Sequence, residues 1–226
     1  MERFAKKALA VTLAFIMVFG GAPLGALAGF DFKLPEWLKS PFSLGASAAG
    51  GVWDGSVAAG FASGSGTEGD PYIIETAPQL AFLSSSVNSG TTYDGKFIKL
   101  TDDIELNSPY VFAYDGDGNI TGKAAGKTPN EWTAIGTSYN NSFNGNFDGD
   151  GHTVSGIYID TASDYQGLFG YVFYVFKGTI KNVGVVDSYI KGGNYVGGVA
   201  GDSGGTVSNC YNTGSVTGSE YVGGVV

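Results

Sequence analysis

Gly178-Thr-Ile-Lys-Asn182 recurs as Gly205-Thr-Val-Ser-Asn209, and Tyr195-Val-Gly-Gly-Val199 recurs as Tyr221-Val-Gly-Gly-Val225, so that the two motifs repeat at nearly the same spacing. Each copy joins a short alternation of apolar and polar residues to a glycine-rich corner. A unit this small cannot bury its own apolar face, but copies stacked about 4.8 Å apart pair their backbones and align like side chains. The repeat therefore predicts an all-β fold, a right-handed parallel β-helix (β-solenoid).

An earlier and weaker copy of the repeat is predicted to begin at Thr153-Val154. It precedes Thr179-Ile180 by the same number of residues that separates the two copies of the Tyr-Val-Gly-Gly-Val motif, and at this offset Ile157 matches Val183. At least three units are therefore expected. The competing architecture is a β-propeller, whose blades usually need longer repeats, of about 40 residues or more.

One helix is predicted to interrupt the short strands. Thr76 and Gln79 have the spacing of a capping box, Pro78 suits a first turn, and one face then carries Leu80, Leu83 and Val87. The helix would lie between the strands 72–74 and 97–100. In that position it is expected to cap the open end of the solenoid core.

The segment 1–28 has the pattern of a secretory signal peptide. Three basic residues precede an apolar run at 8–18, and small residues follow up to Ala28, after which we expect cleavage. The apolar run is shorter than the roughly 20 residues that a membrane-spanning helix needs. An uncleaved anchor is the alternative.

The organisation predicted for the chain is a signal peptide at 1–28, a linker at 29–52, an N-terminal cap with the first coils at 53–152, and repeats at 153–226.

The charge of the chain limits its partners. The leader holds three basic residues and one acid, so cleavage changes the formal charge from −9 to −11. Phosphate binding requires clustered Lys and Arg, so neither nucleic acid nor, after cleavage, a membrane is expected as a partner. Cys210 is the only cysteine, so it forms no internal disulfide, and its position predicts burial. No cofactor is expected.

Two groups of motifs resemble a known family. Gly167-Leu-Phe-Gly170 and Tyr195-Val-Gly-Gly-Val-Ala-Gly201, with Gly-Thr-Ile-Lys-Asn between them, are similar to the GLUG-motif repeats of bacterial secreted and cell-surface proteins. The region that precedes such repeats resembles Gly64-Ser-Gly-Thr-Glu-Gly-Asp-Pro-Tyr-Ile-Ile-Glu-Thr76 and Phe147-Asp-Gly-Asp-Gly-His-Thr-Val-Ser-Gly156. The resemblance covers about residues 53–226 and implies an exported bacterial protein, since these repeats occur in adhesin-like chains and in immunoglobulin A peptidases.

The sequence departs from the family pattern where Val199 and Val225 replace the leucine that the family favours. The last unit stops inside its motif, at Val226. A solenoid that ends within a repeat exposes an unpaired edge. We therefore expect a C-terminal continuation that carries more repeats, an anchoring module or a catalytic domain.

The strongest catalytic candidates are Asp148, Asp150 and His152. Paired carboxylates could act in glycoside hydrolysis, but the Asp-Gly-Asp-Gly context also suits a tight solenoid corner, and we favour the corner. The chain has neither a Gly-x-Ser-x-Gly nor an HExxH motif.

One group of residues is a candidate metal site, namely Asp115, Asp117 and Asn119. A hairpin turn between 111–113 and 120–121 explains these residues better, because the sequence lacks the glycine and the glutamate that an EF-hand loop needs.

Aromatic residues form the remaining candidate site. The ligand-binding candidates are Tyr158, Tyr165, Tyr171 and Tyr174, which could stack on sugars or fill a partner's pockets, although packing among themselves is the favoured interpretation. Asn182 and Asn209 align between units and predict an amide ladder.

These observations predict a non-catalytic extracellular repeat module of a bacterial surface or secreted protein. Its role would be adhesion, binding of a glycan or of a host or cell-surface protein, or that of a stalk. The alternatives are the N-terminal part of a large secreted peptidase and a polysaccharide-active β-helix enzyme. No enzymatic activity is expected within this chain.

Overall fold

The computed structural model of the chain describes residues 51–172 and 178–226. The predicted signal peptide and nearly all of the predicted linker lie outside the described residues. The described part consists of short strands and one α-helix, α1 (Ala77–Asn88). The strands are β1 (Tyr72–Ile74), β2 (Phe97–Leu100), β3 (Ile104–Glu105), β4 (Phe112–Tyr114), β5 (Ile120–Lys123), β6 (Asn146–Asp148), β7 (Thr153–Ser155), β8 (Tyr158–Asp160), β9 (Phe169–Val172), β10 (Thr179–Lys181), β11 (Gly184–Val186), β12 (Tyr189–Lys191), β13 (Ala200–Ser203), β14 (Thr206–Ser208), β15 (Tyr211–Asn212) and β16 (Ser215–Thr217).

Most of these strands pair in parallel with a strand from the next segment of the chain. The sheets have the orders β1-β2-β6-β10-β14, β15-β11-β7-β3, β16-β12-β8 and β13-β9, while β4 and β5 form an antiparallel hairpin. From β6 onward, consecutive strands belong to different sheets, and each of these sheets gains one strand per segment of the chain. The described residues form parallel sheets with one α-helix, which confirms the coarse all-β fold class that the repeat predicts.

The register of the strands confirms the last repeat and corrects the earlier one. Thr179 lies opposite Thr206, as the recurrence of the Gly-Thr motif predicts. However, Thr179 lies opposite Asn146 on its other side, and Thr153 lies opposite Gly184. The alignment of Thr153 with Thr179 was therefore wrong.

The corner between two strands explains this error. Four residues separate β6 from β7, whereas two separate β10 from β11. Because this corner is longer, matching the two segments by similarity alone places the wrong strands side by side. Ile157 consequently lies one residue before Tyr158, which pairs with Tyr189, and does not align with Val183.

Most buried apolar side chains form one core that extends across the paired strands. Phe147 lies between Ile98 and Ile180 in adjacent strands, and all three are essentially inaccessible to solvent. The Phe147 ring also contacts the ring of Phe169 from another sheet, with centroids 5.1 Å apart. Apolar residues therefore meet across sheets as well as within them.

The helix α1 begins where the sequence predicts. The Oε1 atom of Gln79 accepts hydrogen bonds from the backbone N–H groups of Glu75 and Thr76, at 2.8 and 3.1 Å. The helix packs on β1, the end strand of the five-stranded sheet, and buries its predicted apolar face in the common core, namely Leu80, Leu83 and Val87. Among the residues described, no helix has the length and apolar character that would let it cross a membrane.

One buried amide ties the irregular segment after the hairpin to the sheets. Asn107 is 3% exposed, and its Nδ2 donates to the carbonyl oxygens of Asn130 and Gly156, both at 2.8 Å. Its Oδ1 accepts the backbone N–H of Asn130 at 2.7 Å. Gly156 has a φ of +72°, and a Cβ there would lie 2.2 Å from the Asn107 carbonyl oxygen, so this close approach requires glycine.

Candidate functional site

Three equivalent tyrosines form a stack along one side of the molecule. These tyrosines are Tyr165, Tyr195 and Tyr221. Each directly precedes a residue that forms a parallel β-bridge, and the bridges join Gln166 to Val196 and Val196 to Val222. The ring centroids of Tyr165 and Tyr195 are 5.1 Å apart at an interplanar angle of 15°, and those of Tyr195 and Tyr221 are 4.7 Å apart at 7°. The repeat therefore aligns the rings face to face.

The backbone at this position is unusual for so large a side chain. The φ angles of Tyr165, Tyr195 and Tyr221 are +59°, +59° and +55°. Glycine or asparagine would adopt this left-handed conformation at lower cost. Such conformations persist where the surrounding structure determines them, and they often occur at functional positions. The stacked rings are therefore a candidate site.

Two further tyrosines extend the stack. The ring of Tyr171 meets that of Tyr165 edge-on at 5.1 Å and 87°, and Tyr139 lies beside Tyr171 at 6.4 Å. Tyr139 and Tyr221, at the two ends, are 60% and 68% exposed. We call this surface the tyrosine flank, and it consists of Tyr139, Tyr165, Tyr171, Tyr195 and Tyr221.

Acidic groups accompany the flank. Desolvation raises the pKa of Tyr195, and the neighbouring Tyr221 and Tyr165 with the carboxylates of Asp202 and Asp164 raise it further. Tyr195 therefore stays neutral at physiological pH, with two acidic side chains near it. Burial also raises the pKa of Asp202 itself.

The structure brings only part of the predicted aromatic set to this surface. Tyr165 and Tyr171 lie in the flank, whereas Tyr158 is 3% exposed and packs between Phe112 of the hairpin and the stacked ring of Tyr189. A ring covered in this way has no face for a ligand. Tyr174 lies outside the described residues. The repeated Tyr-Val-Gly-Gly-Val motif was the signal that could have identified Tyr195 and Tyr221.

The Asp148–His152 segment is the corner between β6 and β7. Asp150 and Gly151 have φ angles of +52° and +88°. The Oδ1 atom of Asp148 accepts hydrogen bonds from the backbone N–H of Asp150 and from Nδ2 of Asn182, both at 2.9 Å. Burial acts to raise the pKa of the Asp148 carboxyl, but these hydrogen bonds together with Lys181 bring it below its ordinary value.

The charged groups of this corner have separate partners. Asp148 pairs with Lys181 at 3.1 Å, and Asp150 pairs with Lys99 at 2.9 Å. The Nδ1 atom of His152 lies 3.5 Å from Oδ1 of Asp103, which also accepts the backbone N–H of Thr153 at 2.7 Å. The carboxylates of Asp148 and Asp150 thus link the corner to the two strands that flank β6, which is an arrangement suited to holding a turn.

The predicted amide ladder is present and longer than expected. Nδ2 of Asn209 donates to Oδ1 of Asn182 at 2.7 Å, and Asn182 in turn donates to Asp148. Cys210 follows this ladder, occupies the position equivalent to Val183 and is partly buried against the core. Burial raises the pKa of its thiol, so the thiol stays protonated at neutral pH.

The candidate metal residues form the turn of the β4–β5 hairpin, as predicted. Oδ1 of Asp115 accepts the backbone N–H groups of Asp117 and Asn119 at 3.0 and 2.8 Å. Nδ2 of Asn119 donates to Oδ2 of Asp115 at 3.0 Å. The hydrogen bonds from Asn119 lower the pKa of the Asp115 carboxyl. Within residues 51–172 and 178–226, no three acidic, histidine or cysteine side chains converge on a common metal position.

Comparisons with known proteins give one relative and one structure. No family model matches the chain, so its membership of the GLUG-motif family stays a prediction. The chain is similar to Halomucin from Haloquadratum walsbyi (strain DSM 16790 / HBSQ001), with 36% identity over 174 residues. This match covers 76% of the chain, which spans only 2% of the length of that relative. A crystal structure from Bacteroides ovatus, provisionally described as an immunoglobulin A1 protease, is similar with a TM-score of 0.46 and 24% identity, over 68% of this chain and 40% of that one.

Proposed function

We propose that the chain is an extracellular repeat module built as a right-handed parallel β-helix, with α1 as its N-terminal cap. The observation that carries this proposal is the register of the strands, in which Ile159, Ile190 and Val216 of three successive coils lie side by side. A right-handed path is the near-universal choice for connections between parallel strands of one sheet. The cap with its first coils would occupy residues 53–152, and the repeats 153–226.

A location outside the cell is supported by the sequence of the leader, which carries the three parts of a signal peptide. The likeness to Halomucin agrees with such a location. The corner carboxylates support a non-catalytic role, because each of them is engaged in an ion pair or a turn of the solenoid. The module would therefore serve as a rigid spacer that presents the tyrosine flank.

A protein is the partner that best suits the tyrosine flank. The rings of Tyr165 and Tyr221 stack on the two sides of the Tyr195 ring, which leaves it no free face for a sugar that lies flat on a ring. Tyrosine is enriched at protein interfaces, where its hydroxyl group hydrogen-bonds while its ring is buried. The carboxylates of Asp164 and Asp202 favour a partner that carries arginine or lysine.

An arginine-rich peptide should bind the tyrosine flank. The double variant Tyr139→Ser/Tyr221→Ser should weaken that binding by about tenfold, because truncating an exposed aromatic anchor costs on the order of 1–2 kcal/mol. Fluorescence anisotropy with a labelled peptide, at two salt concentrations, measures the effect. Tyr110→Ser is the matched control, because Tyr110 is 72% exposed and does not belong to the flank. Equal weakening by the control, or equal binding of a peptide with glutamate in place of arginine, would contradict this role.

Deleting one complete coil, residues 179–205, should leave a folded protein. Thr206 would then follow Gly178 and occupy the place of Thr179, so β14, β15 and β16 could pair with β6, β7 and β8 in the same register. Stacked repeats contact only their neighbours, so the removal of one leaves the remaining interfaces in place. Circular dichroism and thermal melting measure the outcome. Deletion of residues 192–204, about half a coil, is the control and should unfold the C-terminal strands. Unfolding by both deletions to the same extent would refute the solenoid.

A further inference from the structure

A second surface lies where two neighbouring coils differ in length. The backbone N–H of Trp132 donates to the carbonyl of Tyr158 at 2.9 Å, and that of Ile135 donates to the carbonyl of Leu168 at 3.0 Å. Between these contacts one coil has only residues 133–134, whereas its neighbour has residues 159–167. The shorter coil cannot follow the longer one, and the step between them is a groove of about 330 Å³. This volume is at the lower end of the range of small-ligand sites.

The wall of the groove is the unpaired edge of β8. In the parallel pair of β8 with β12, the N–H of Tyr189 donates to the carbonyl of Ile157, and the N–H of Thr161 donates to the carbonyl of Lys191. Backbone groups alternate sides along a strand, so those of Asp160 face away from β12 and toward the groove. Among the described residues they have no hydrogen-bond partner. The wall therefore offers one backbone donor and one backbone acceptor.

A buried side chain adds an acceptor to the groove. Gln166 lines it and is 8% exposed. Its Nε2 donates to the carbonyl of Asp164 at 2.7 Å, and this bond fixes the orientation of the amide because a carbonyl can only accept. The Oε1 atom then remains as an acceptor that no other described residue satisfies. This oxygen is not among the fully buried atoms without a partner, so solvent reaches it and it can accept a hydrogen bond from a ligand.

The remaining groups of the groove are hydroxyls, carboxylates and an apolar floor. Thr133 and Thr137 contribute hydroxyl groups that have no partner in the described part of the chain. Glu131 is exposed, whereas the Asp160 carboxylate is already paired with Lys191 at 2.8 Å. The floor consists of the largely buried Trp132 and Ile159. Acceptors and negative charge thus exceed donors.

We propose that this groove binds a neutral, hydroxyl-rich ligand, namely one unit of a neutral saccharide. Sugar hydroxyl groups donate to Gln166 Oε1, the Glu131 carboxylate and the Asp160 carbonyl, while the C–H face of the ring lies on the apolar floor. The carboxylates repel uronate and sulfated sugars. No ring of the tyrosine flank lines the groove, although Asp164 borders both surfaces, so this inference goes beyond the proposed protein contact.

Binding is tested with the full chain and a set of neutral gluco-, manno- and galacto-configured trisaccharides, with a trigalacturonate of the same length as the charged comparison. Isothermal titration should detect at least one neutral trisaccharide and no trigalacturonate. Gln166→Met, which keeps the length of the side chain but removes its amide, should weaken binding about tenfold, or about 1.4 kcal/mol. Glu131→Gln should weaken trisaccharide binding by a similar factor. Glu220→Gln is the matched control, because Glu220 is an exposed glutamate outside the groove, and it should leave trisaccharide binding unchanged.

Each other result overturns the inference. Absence of binding by every neutral trisaccharide, equal binding of trigalacturonate, or binding that EDTA abolishes and Ca²⁺ restores would each contradict direct hydrogen bonding of a neutral sugar by the groove residues. Because Gln166 is buried, Glu131→Gln at the exposed rim decides the matter if Gln166→Met does not fold. Sugar binding that neither groove variant weakens, but that Tyr221→Ser abolishes, would mean that the sugar binds at the tyrosine flank and not in the groove. None of these outcomes depends on the coil deletion, which tests the repeat module separately.

Discussion

Replacing Phe147 by alanine is expected to lower the free energy of unfolding by about 3–5 kcal/mol, because a fully buried phenylalanine is lost and the cavity it leaves cannot collapse. The ring of Phe147 is enclosed by Ile98 and Ile180 of the adjacent strands and by Phe169 across the core. These neighbours are held by parallel ladders and have little freedom to move inward. Urea denaturation followed by circular dichroism measures the change.

The control for this variant is Tyr110→Ala. Tyr110 is 72% exposed, and a substitution at such a surface position usually changes stability by no more than about 0.5 kcal/mol. The core described for the coils requires a large difference between the two variants. If Phe147→Ala and Tyr110→Ala had similar effects, the continuous apolar column would not be what stabilises the stack.

The repeat made much of the fold predictable from the sequence. The offset between Asn182 and Asn209 places the strands β10 and β14 in register and aligns the amide ladder between them. The helix was predictable because its signals, Thr76 with Gln79 and the apolar spacing that follows, are local. Features that depend only on neighbouring residues or on a constant period can be read from one sequence.

What could not be predicted depends on differences between coils. The longer corner after Asp148 shifts the alignment of Thr153, and no property of a single coil indicates how many residues its neighbour uses. Tyr158 was a reasonable candidate for an exposed ring, but the hairpin folds back and Phe112 covers it. The groove has the same origin, since it exists only because residues 133–134 face a much longer segment of the next coil.

Asn107 is the second position at which we expect a large effect. Asn107→Ala should lower the free energy of unfolding by about 2–4 kcal/mol, since a buried polar group that loses its partner costs about 1–3 kcal/mol. The substitution removes three hydrogen bonds and leaves the carbonyls of Asn130 and Gly156 and the N–H of Asn130 unsatisfied. Thermal and urea denaturation measure the loss. Asn140→Ala is the matched control, because Asn140 is exposed and should tolerate the change.

The variant Asn107→Asp separates lost hydrogen bonds from lost packing. It keeps the shape of the side chain but turns a carboxylate toward two carbonyl oxygens, and burial should raise its pKa in the folded state above the unfolded value of about 3.9. A raised folded-state pKa means that the folded protein binds the proton more tightly, so the destabilisation is greatest above that pKa and is recovered as the pH falls toward the unfolded value. Stability measured across this pH range should therefore rise relative to the parent chain on acidification. A deficit that does not change with pH would mean that the hydrogen bonds of Asn107 contribute little, and that the coils are joined at this point by packing alone.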